Sequence, residues 1–367
     1  MKIEFVDLKK QYLALKDQID SSINSVINES AFIGGKYVNK FESEFAEKYE
    51  IKNCIGVANG TDAIYIVLRM LGIGLGDEVI TTALSWISTS ESISQTGAKP
   101  VFVDIDEYFL INADKIEEKI TKKTKAIIPV HLYGQSCNMN KIKEIALKNN
   151  LFIIEDCAQA HFAEYERQKV GTFGAAATFS FYPGKNLGAY GDAGAIITND
   201  DELALKCRMY ANHGALKKHI HLMEGINSRL DGLQAAILSV KLPYILQWNA
   251  ERFEKAELYN ELLSEVKELN LPKIREGSKH IFHLYVIRTN KRDELKEYLN
   301  EKGVETAIHY PTALPNLQAY HYLNFVPNNF PMASGIQNEI LSLPIYPELT
   351  TEEIYFIAST IKTFFKY

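Results

Sequence analysis

Residues 178–194 read TFSFYPGKNLGAYGDAG: an apolar run ends near Ser180, and Lys185 follows between a Pro-Gly pair and a glycine-rich segment. A lysine in such a turn is ordinarily a solvated loop residue, so its neighbours decide its meaning. Asp156 ends another apolar run, LFIIED, and Gln159 stands three residues later. Open α/β sheets bind ligands at the carboxyl edge of their strands, which places Asp156, Gln159, Ser180 and Lys185 around one pocket. Taken alone, Asp156 reads equally well as a cap for a following helix. A lysine in a desolvated pocket loses much of its preference for the charged form and attacks a carbonyl as a neutral amine.

That points to Schiff-base chemistry, and the cofactor that uses such a lysine is pyridoxal 5′-phosphate (PLP; PMP when aminated). It needs an acid to keep its ring nitrogen protonated as an electron sink, a role open to Asp156. Its phosphate needs N–H donors, and ANGTDAIYIV offers a glycine turn before a helix start, where free amides and the helix dipole favour an anion. Gly60, Thr61 and Ser180 are the candidate cradle. A P-loop is excluded, because Phe179 stands where its first glycine belongs and Asn186 where Ser or Thr must follow the lysine. GIGLGD at 72–77 lacks the dinucleotide spacing.

The elements that must position these groups are legible from residue 53 onward. NCIGVA, DEVITT, KPVFVDI, KAIIPVH, LFIIEDC, ATFSF and GAIIT are short β-branched or apolar runs suited to strands buried on both faces. They alternate with helical patterns such as TDAIYIVLRMLG, with Thr61 or Asp62 as N-cap, and NMNKIKEIALKNN. Beyond LDGLQAAILSVKLPYILQW the alternation stops, with a bend at Pro243. The pattern predicts a large α/β domain over 1–245 with a mostly parallel sheet, and a smaller α+β domain over 246–367. In the latter FHLYVIRT and VETAIHY read as strands, KRDELKEYLNEKG and TTEEIYFIASTIKTFFKY as helices.

The 367 residues exceed the length at which one core stops growing, and 46% hydrophobic with 23% charged residues is ordinary for a globular chain. A net charge of -6 and no basic face argue against nucleic acid as a partner. Cys54, Cys137, Cys157 and Cys207 form no CxxC pair, so no metal site and no disulfide framework is expected, and a reduced, cytoplasmic setting is. No apolar run approaches the length of a membrane span.

Seven ordered blocks carry a resemblance: NGTDA, LSWISTSESISQTGAKPVFVDID, AIIPVHLYGQ, IIEDCAQA, FSFYPGKNLGAYGDAGAI, NSRLDGLQAAIL and HYPTALPNLQAY. From near residue 5 to near residue 350 the chain resembles the DegT/DnrJ/EryC1/StrS family of PLP-dependent nucleotide-sugar aminotransferases. The resemblance implies the aspartate-aminotransferase type of fold (PLP fold type I) and a homodimer with active sites at the subunit interface. By position, Lys185 matches the lysine that bonds to PLP, Asp156 the partner of the pyridine nitrogen and Gln159 a residue against the ring. Ser180, Gly60 and Thr61 match the phosphate cradle. Trp86 matches an aromatic that packs on the cofactor, though burial in the core would equally account for it, and Asn227 a phosphate ligand donated by the other subunit.

Some family members carry histidine in place of the lysine and act as dehydratases; here residue 185 is lysine. Members acting at C-4 of the sugar often read histidine where this chain has Tyr182, and SFYPGKNLGA is similar to those that aminate a 3-keto-6-deoxyhexose on a nucleoside diphosphate. The implied reaction moves an amino group from glutamate to that C-3 ketone. Tyr182, His309 and Tyr310 are then candidate sugar contacts, with His309 also readable as an ordinary strand-end residue. A C-4 aminotransferase, a dehydratase, or a PLP- and sugar-binding protein without turnover are the alternatives.

Overall fold

The computed structural model describes residues 2–367. Seven strands form one sheet: β1 (Asn53–Val57), β2 (Glu78–Thr82), β3 (Lys99–Val103), β4 (Thr124–Ile128), β5 (Phe152–Asp156), β6 (Ala176–Ser180) and β7 (Gly194–Thr198). Their order is β1-β7-β6-β5-β4-β2-β3. Only β7 runs against the rest, pairing antiparallel with both β1 and β6. Each of the seven runs read from the sequence therefore supplies one strand.

The carboxyl ends of six parallel strands, and the amino end of β7, all open on the same edge. The register pairs Asp156 of β5 with Thr178 of β6, so the chain leaves both strands side by side, with Ser180 two residues further on. Successive side chains point to opposite faces. Ile154, Ala176 and Ile196 pack on one face with Ala63, Ile66 and Val67 of α2 (Gly60–Met70). Ala177, Phe179, Ala195 and Ile197 pack on the other with Phe41, Phe45 and Tyr49 of α1 (Lys36–Tyr49). Both faces are covered, which is why the strands read as unbroken apolar runs.

Helix α2 starts two to three residues earlier than Thr61 or Asp62 as cap would require. Its N-cap is Asn59, whose side-chain oxygen accepts from the Asp62 amide at 2.8 Å. Asn is as good a cap as Asp, and here Thr61 is freed to face the cavity. Further along, Ser88–Gln95 forms α3, Met139–Asn149 forms α4 and Gly232–Lys241 forms α5. A single 3-10 turn over Leu242–Tyr244, containing Pro243, joins α5 to α6 (Ile245–Leu263).

A second core gathers Tyr259 of α6 with Phe282, Tyr285, Leu295, Leu341 and Ile357. Here β8 (Tyr285–Arg288) pairs antiparallel with β9 (Ile340–Leu343), flanked by α7 (Arg292–Glu301) and α8 (Thr351–Phe365). Ile3 joins this core from the other end of the chain and bridges to Val304. The strand expected over VETAIHY does not form. Residues 304–310 make only isolated bridges, Val304 to Ile3 and Ala307 to Ser342 on the free edge of β9, so the ladder does not extend to a strand. The end of this segment instead places His309 and Tyr310 at the cavity described next.

Candidate active site

A cavity of about 570 Å³ opens at the strand edge, and ten of the eleven residues singled out by the sequence line it: Gly60, Thr61, Trp86, Asp156, Gln159, Ser180, Tyr182, Lys185, His309 and Tyr310. Asn227 does not; it is exposed, in a bridge with Asn212. No helix follows Asp156, so it is no helix cap; its side chain is buried and faces the cavity.

Asp156 is held on both oxygens. Thr89 donates to Oδ2 at 2.7 Å and the Ala158 amide to Oδ1 at 3.1 Å. Burial pushes this carboxyl above its ordinary range, while the two hydrogen bonds and the nearby positive Lys185 pull it back. Lys185 answers the same burial in the opposite sense. Desolvation lowers its amine to about 8, with the Asp156 charge acting the other way. Although Lys185 keeps partial exposure, the atoms around it are what desolvate the amine. The residue after it is fixed: Asn186 donates to Asn249 Oδ1 at 2.8 Å and its Oδ1 lies 3.0 Å from His283 Nδ1.

At the start of α2 the amides of Gly60 and Thr61 have no protein acceptor among the described residues. The Thr61 hydroxyl lies 2.7 Å from that of Ser88. A Cβ on Gly60 would stand 2.8 Å from Cβ of Ser180, and one on Gly194 would stand 2.4 Å from the carbonyl carbon of Asn59. Glycine at both positions lets β1, β6 and β7 converge, so that two free amides and the Ser180 hydroxyl share a concavity at a helix N-terminus. Such a concavity is suited to an anion.

Gln159 is oriented from both ends. Its Oε1 accepts from the Tyr133 amide at 2.7 Å and its Nε2 donates to the Tyr310 hydroxyl at 3.0 Å. Trp86 is not core: it is 58% exposed, its ring 5.6 Å from that of Tyr310 at 45°. Tyr182 is 59% exposed at the same rim. His309 is bonded to Ser342 at 2.8 Å and stacked on Phe5; burial first, and then Lys185, hold its imidazole down to about 4. The fitted parts are thus an amine, a carboxylate across from it, an anion cradle and a polar group between, which together match the requirements of PLP.

Sequence reading missed Thr89, Asn59, Arg252 and His283, and the cavity wall supplied by Phe5 and Val6. Thr89 sits among serines and threonines in SWISTSES with nothing to mark it, and Arg252 on α6 and His283 just before β8 lie far along the chain from the strand ends.

Residues 14–362 match the DegT/DnrJ/EryC1/StrS aminotransferase family. A Geobacillus stearothermophilus protein named pleiotropic regulatory protein is 47% identical over 370 residues, covering both chains in full. The dTDP-3-amino-3,6-dideoxy-alpha-D-galactopyranose transaminase of Aneurinibacillus thermoaerophilus is 45% identical over 365 residues, covering 99% of each chain. Among solved structures, S. venezuelae DesV superposes with a TM-score of 0.98 at 37% identity, over 100% of this chain and 99% of its own. With its mixed sheet, its cavity at the strand edge and these full-length matches, the chain belongs to the DegT/DnrJ/EryC1/StrS aminotransferase family.

Proposed function

We propose that this protein is a PLP-dependent aminotransferase that moves an amino group from glutamate to the C-3 ketone of a nucleotide-linked 6-deoxyhexose, working as a homodimer. The observation that carries the reading is the pairing of a desolvated Lys185 amine with a buried Asp156 carboxylate in one cavity. The transaminase function named for the A. thermoaerophilus relative supports C-3 of a dTDP-sugar as the position aminated.

PLP bound here would supply an aldehyde carbon for exchange of amines and a protonated pyridine ring to accept electron density. Gly60, Thr61 and Ser180 hold its phosphate, with Asn227 reaching the same phosphate from the partner subunit. Asp156 would keep the proton on the ring nitrogen, and the Thr89 hydroxyl favours the ionised form of Asp156 against its burial. Gln159 and Trp86 would help to hold the ring. Lys185 takes the proton from Cα of the amino donor and, in the second half of the reaction, moves a proton at C-3 of the sugar. Trp86, Tyr310 and Tyr182 bound the mouth through which the sugar enters, with Tyr182 and His309 available to its hydroxyls. One water is taken up when the oxo acid leaves in the first half-reaction and one is released when the amine condenses with the ketone in the second, so the site must admit water through the mouth that Trp86 and Tyr182 flank.

The test begins with purified protein. It should show the visible absorbance of bound PLP, and borohydride should fix a pyridoxyl group to the peptide containing Lys185. Lys185→Ala should retain sugar binding and lose formation of PMP from glutamate; a colourless protein that ignores added PLP would sink the reading. A panel of 3-keto and 4-keto nucleotide sugars, read by mass spectrometry, checks the position aminated.

A further inference from the structure

A run of hydrogen bonds whose direction is fixed at one end reaches an imidazole of the cavity. A main-chain carbonyl can only accept, and that of His161 accepts from Asn249 Nδ2 at 2.9 Å, which turns Asn249 Oδ1 the other way. Asn249 Oδ1 in turn accepts from Asn186 Nδ2 at 2.8 Å, and the Ile281 carbonyl lies 3.4 Å from the same nitrogen. Asn186 Oδ1 is left facing His283 Nδ1 at 3.0 Å, so Nδ1 must carry the ring proton. Asn186, Asn249 and His283 are all buried, which denies the amides the alternative of water. His283 is thereby fixed with a bare Nε2, which makes no hydrogen bond among the described residues although the residue lines the cavity. Burial and the charges of Lys185 and Arg252 keep the ring from taking a second proton at neutral pH. The two other imidazoles that feel Lys185 differ: His161 is fully buried away from the cavity, and His309 Nδ1 meets the Ser342 hydroxyl, which can donate or accept and leaves its tautomer open.

We propose that His283 is a positioning residue for Lys185: its bare Nε2 accepts an N–H of the free amine and so sets where the nitrogen lone pair points. The inference rests on the aminotransferase reading and adds how the base of that reaction is aimed. Asn186 follows Lys185 directly, so the bond from Asn186 to His283 pins the ring to the turn that carries the lysine. Burial meanwhile denies the Lys185 amine bulk water, and no protein hydrogen bond acts on it among the described residues. A free amine turns about its Cε–Nζ bond; one accepted N–H stops that rotation with the lone pair in one direction, which is what proton transfer at carbon requires. Asp156 is not available for this, because Thr89 and Ala158 engage both its oxygens. A carboxylate in this place would also hold the lysine protonated and spoil it as a base, whereas an uncharged nitrogen orients it at less cost in basicity. The same lone pair repels carboxylate and phosphate oxygens, so what Nε2 takes is an N–H or O–H donor.

Crystals of the enzyme loaded with PMP, in which the lysine is free, should show Lys185 Nζ about 3 Å from His283 Nε2. Asn and Gln divide the two ring nitrogens between them: His283→Asn keeps a donor for Asn186 and loses the acceptor, and His283→Gln restores an acceptor at the reach of Nε2. In His283→Asn, kcat should fall about tenfold or more while PLP affinity and the KM of the amino donor and of the ketosugar stay within about twofold, and His283→Gln should recover most of the loss. Nζ more than about 4 Å from Nε2 in those crystals, or equal kcat losses in the two variants, overturns the proposal. So does a rise confined to the ketosugar KM, which would make a sugar hydroxyl the donor that His283 holds. If the variants do not fold, the crystals decide. A protein that takes up neither PLP nor PMP overturns the aminotransferase reading instead, so the two failures are distinct.

Discussion

Lys185 and Asp156 meet the same desolvation with opposite outcomes, and Thr89 is the residue that keeps the pair usable. Burial alone would neutralise both groups; the Thr89 hydroxyl at 2.7 Å from Asp156 Oδ2 favours the carboxylate. Thr89→Val keeps the shape and removes the donor. A hydrogen bond to a charged group contributes about 1.5–3 kcal/mol, so kcat/KM should fall about tenfold or more. The sign is fixed: losing the donor raises the Asp156 pKa further, so the acid limb of the pH–rate profile moves to higher pH, and Thr89→Ser should restore it. An unmoved acid limb would remove Thr89 from this role. None of this could be read from the sequence, where Thr89 lies 67 positions from Asp156. Asp156, by contrast, was legible because it ends a run whose length and β-branching already marked a strand, and Lys185 because it follows the end of the next such run.

At the scale of elements, the site depends on three strands and a helix approaching more closely than side chains permit. Gly194 opens β7 directly against Asn59, and Ala there would put a methyl group 2.4 Å from a backbone carbon. Backbone cannot yield as a side chain can. Gly194→Ala should therefore destabilise the fold by about 1–3 kcal/mol and weaken PLP binding together, read by melting temperature and cofactor titration. Gly74, whose Cβ would have 3.5 Å to its nearest neighbour, is the control, and Gly74→Ala should leave PLP binding unchanged. Behind the strand edge, buried Glu155 accepts from the amides of Gly171, Phe173 and Gly174 and lies 3.0 Å from His131 Nε2, locking the loop before β6. On the other side, buried Lys241 of α5 donates to the Gly188 carbonyl at 2.8 Å and lies 4.2 Å from the Tyr190 ring, bracing the loop that carries Lys185.

For the molecule as a whole, three buried imidazoles set the acid side of stability. Burial holds His161 and His280 at about 3 and His283 well below its ordinary value, so the folded state refuses protons that the unfolded chain accepts below about 6.5. Stability is therefore intact above that pH and falls as pH drops toward the folded values, by about 1.4 kcal/mol per pH unit for each imidazole at full effect. Raised carboxyls at Asp156, Asp106 and Glu348 act the other way, because the folded state takes up their protons at a higher pH than the unfolded chain does. The melting temperature should drop between pH 7 and pH 5 and recover on return; a flat profile would contradict it. The proposed dimer makes its own prediction. If Asn227 of one subunit serves the phosphate held by the other, then Lys185→Ala and Asn227→Asp proteins, each inactive, should regain activity when refolded together, because one site of each mixed dimer is intact. No recovery would place Asn227 outside the site.

The sequence by itself determined the seven strands, their burial on both faces and the two groups that define the chemistry, because strand periodicity and an acidic or basic residue at a strand end are local properties. Tertiary structure alone decided that residues 304–310 leave the sheet, that Asn59 caps the helix beneath the anion cradle, and that Thr89, His283 and Arg252 meet the cavity from three separate elements. Those outcomes turn on contacts between segments far apart in the chain, and no window of contiguous residues contains that information.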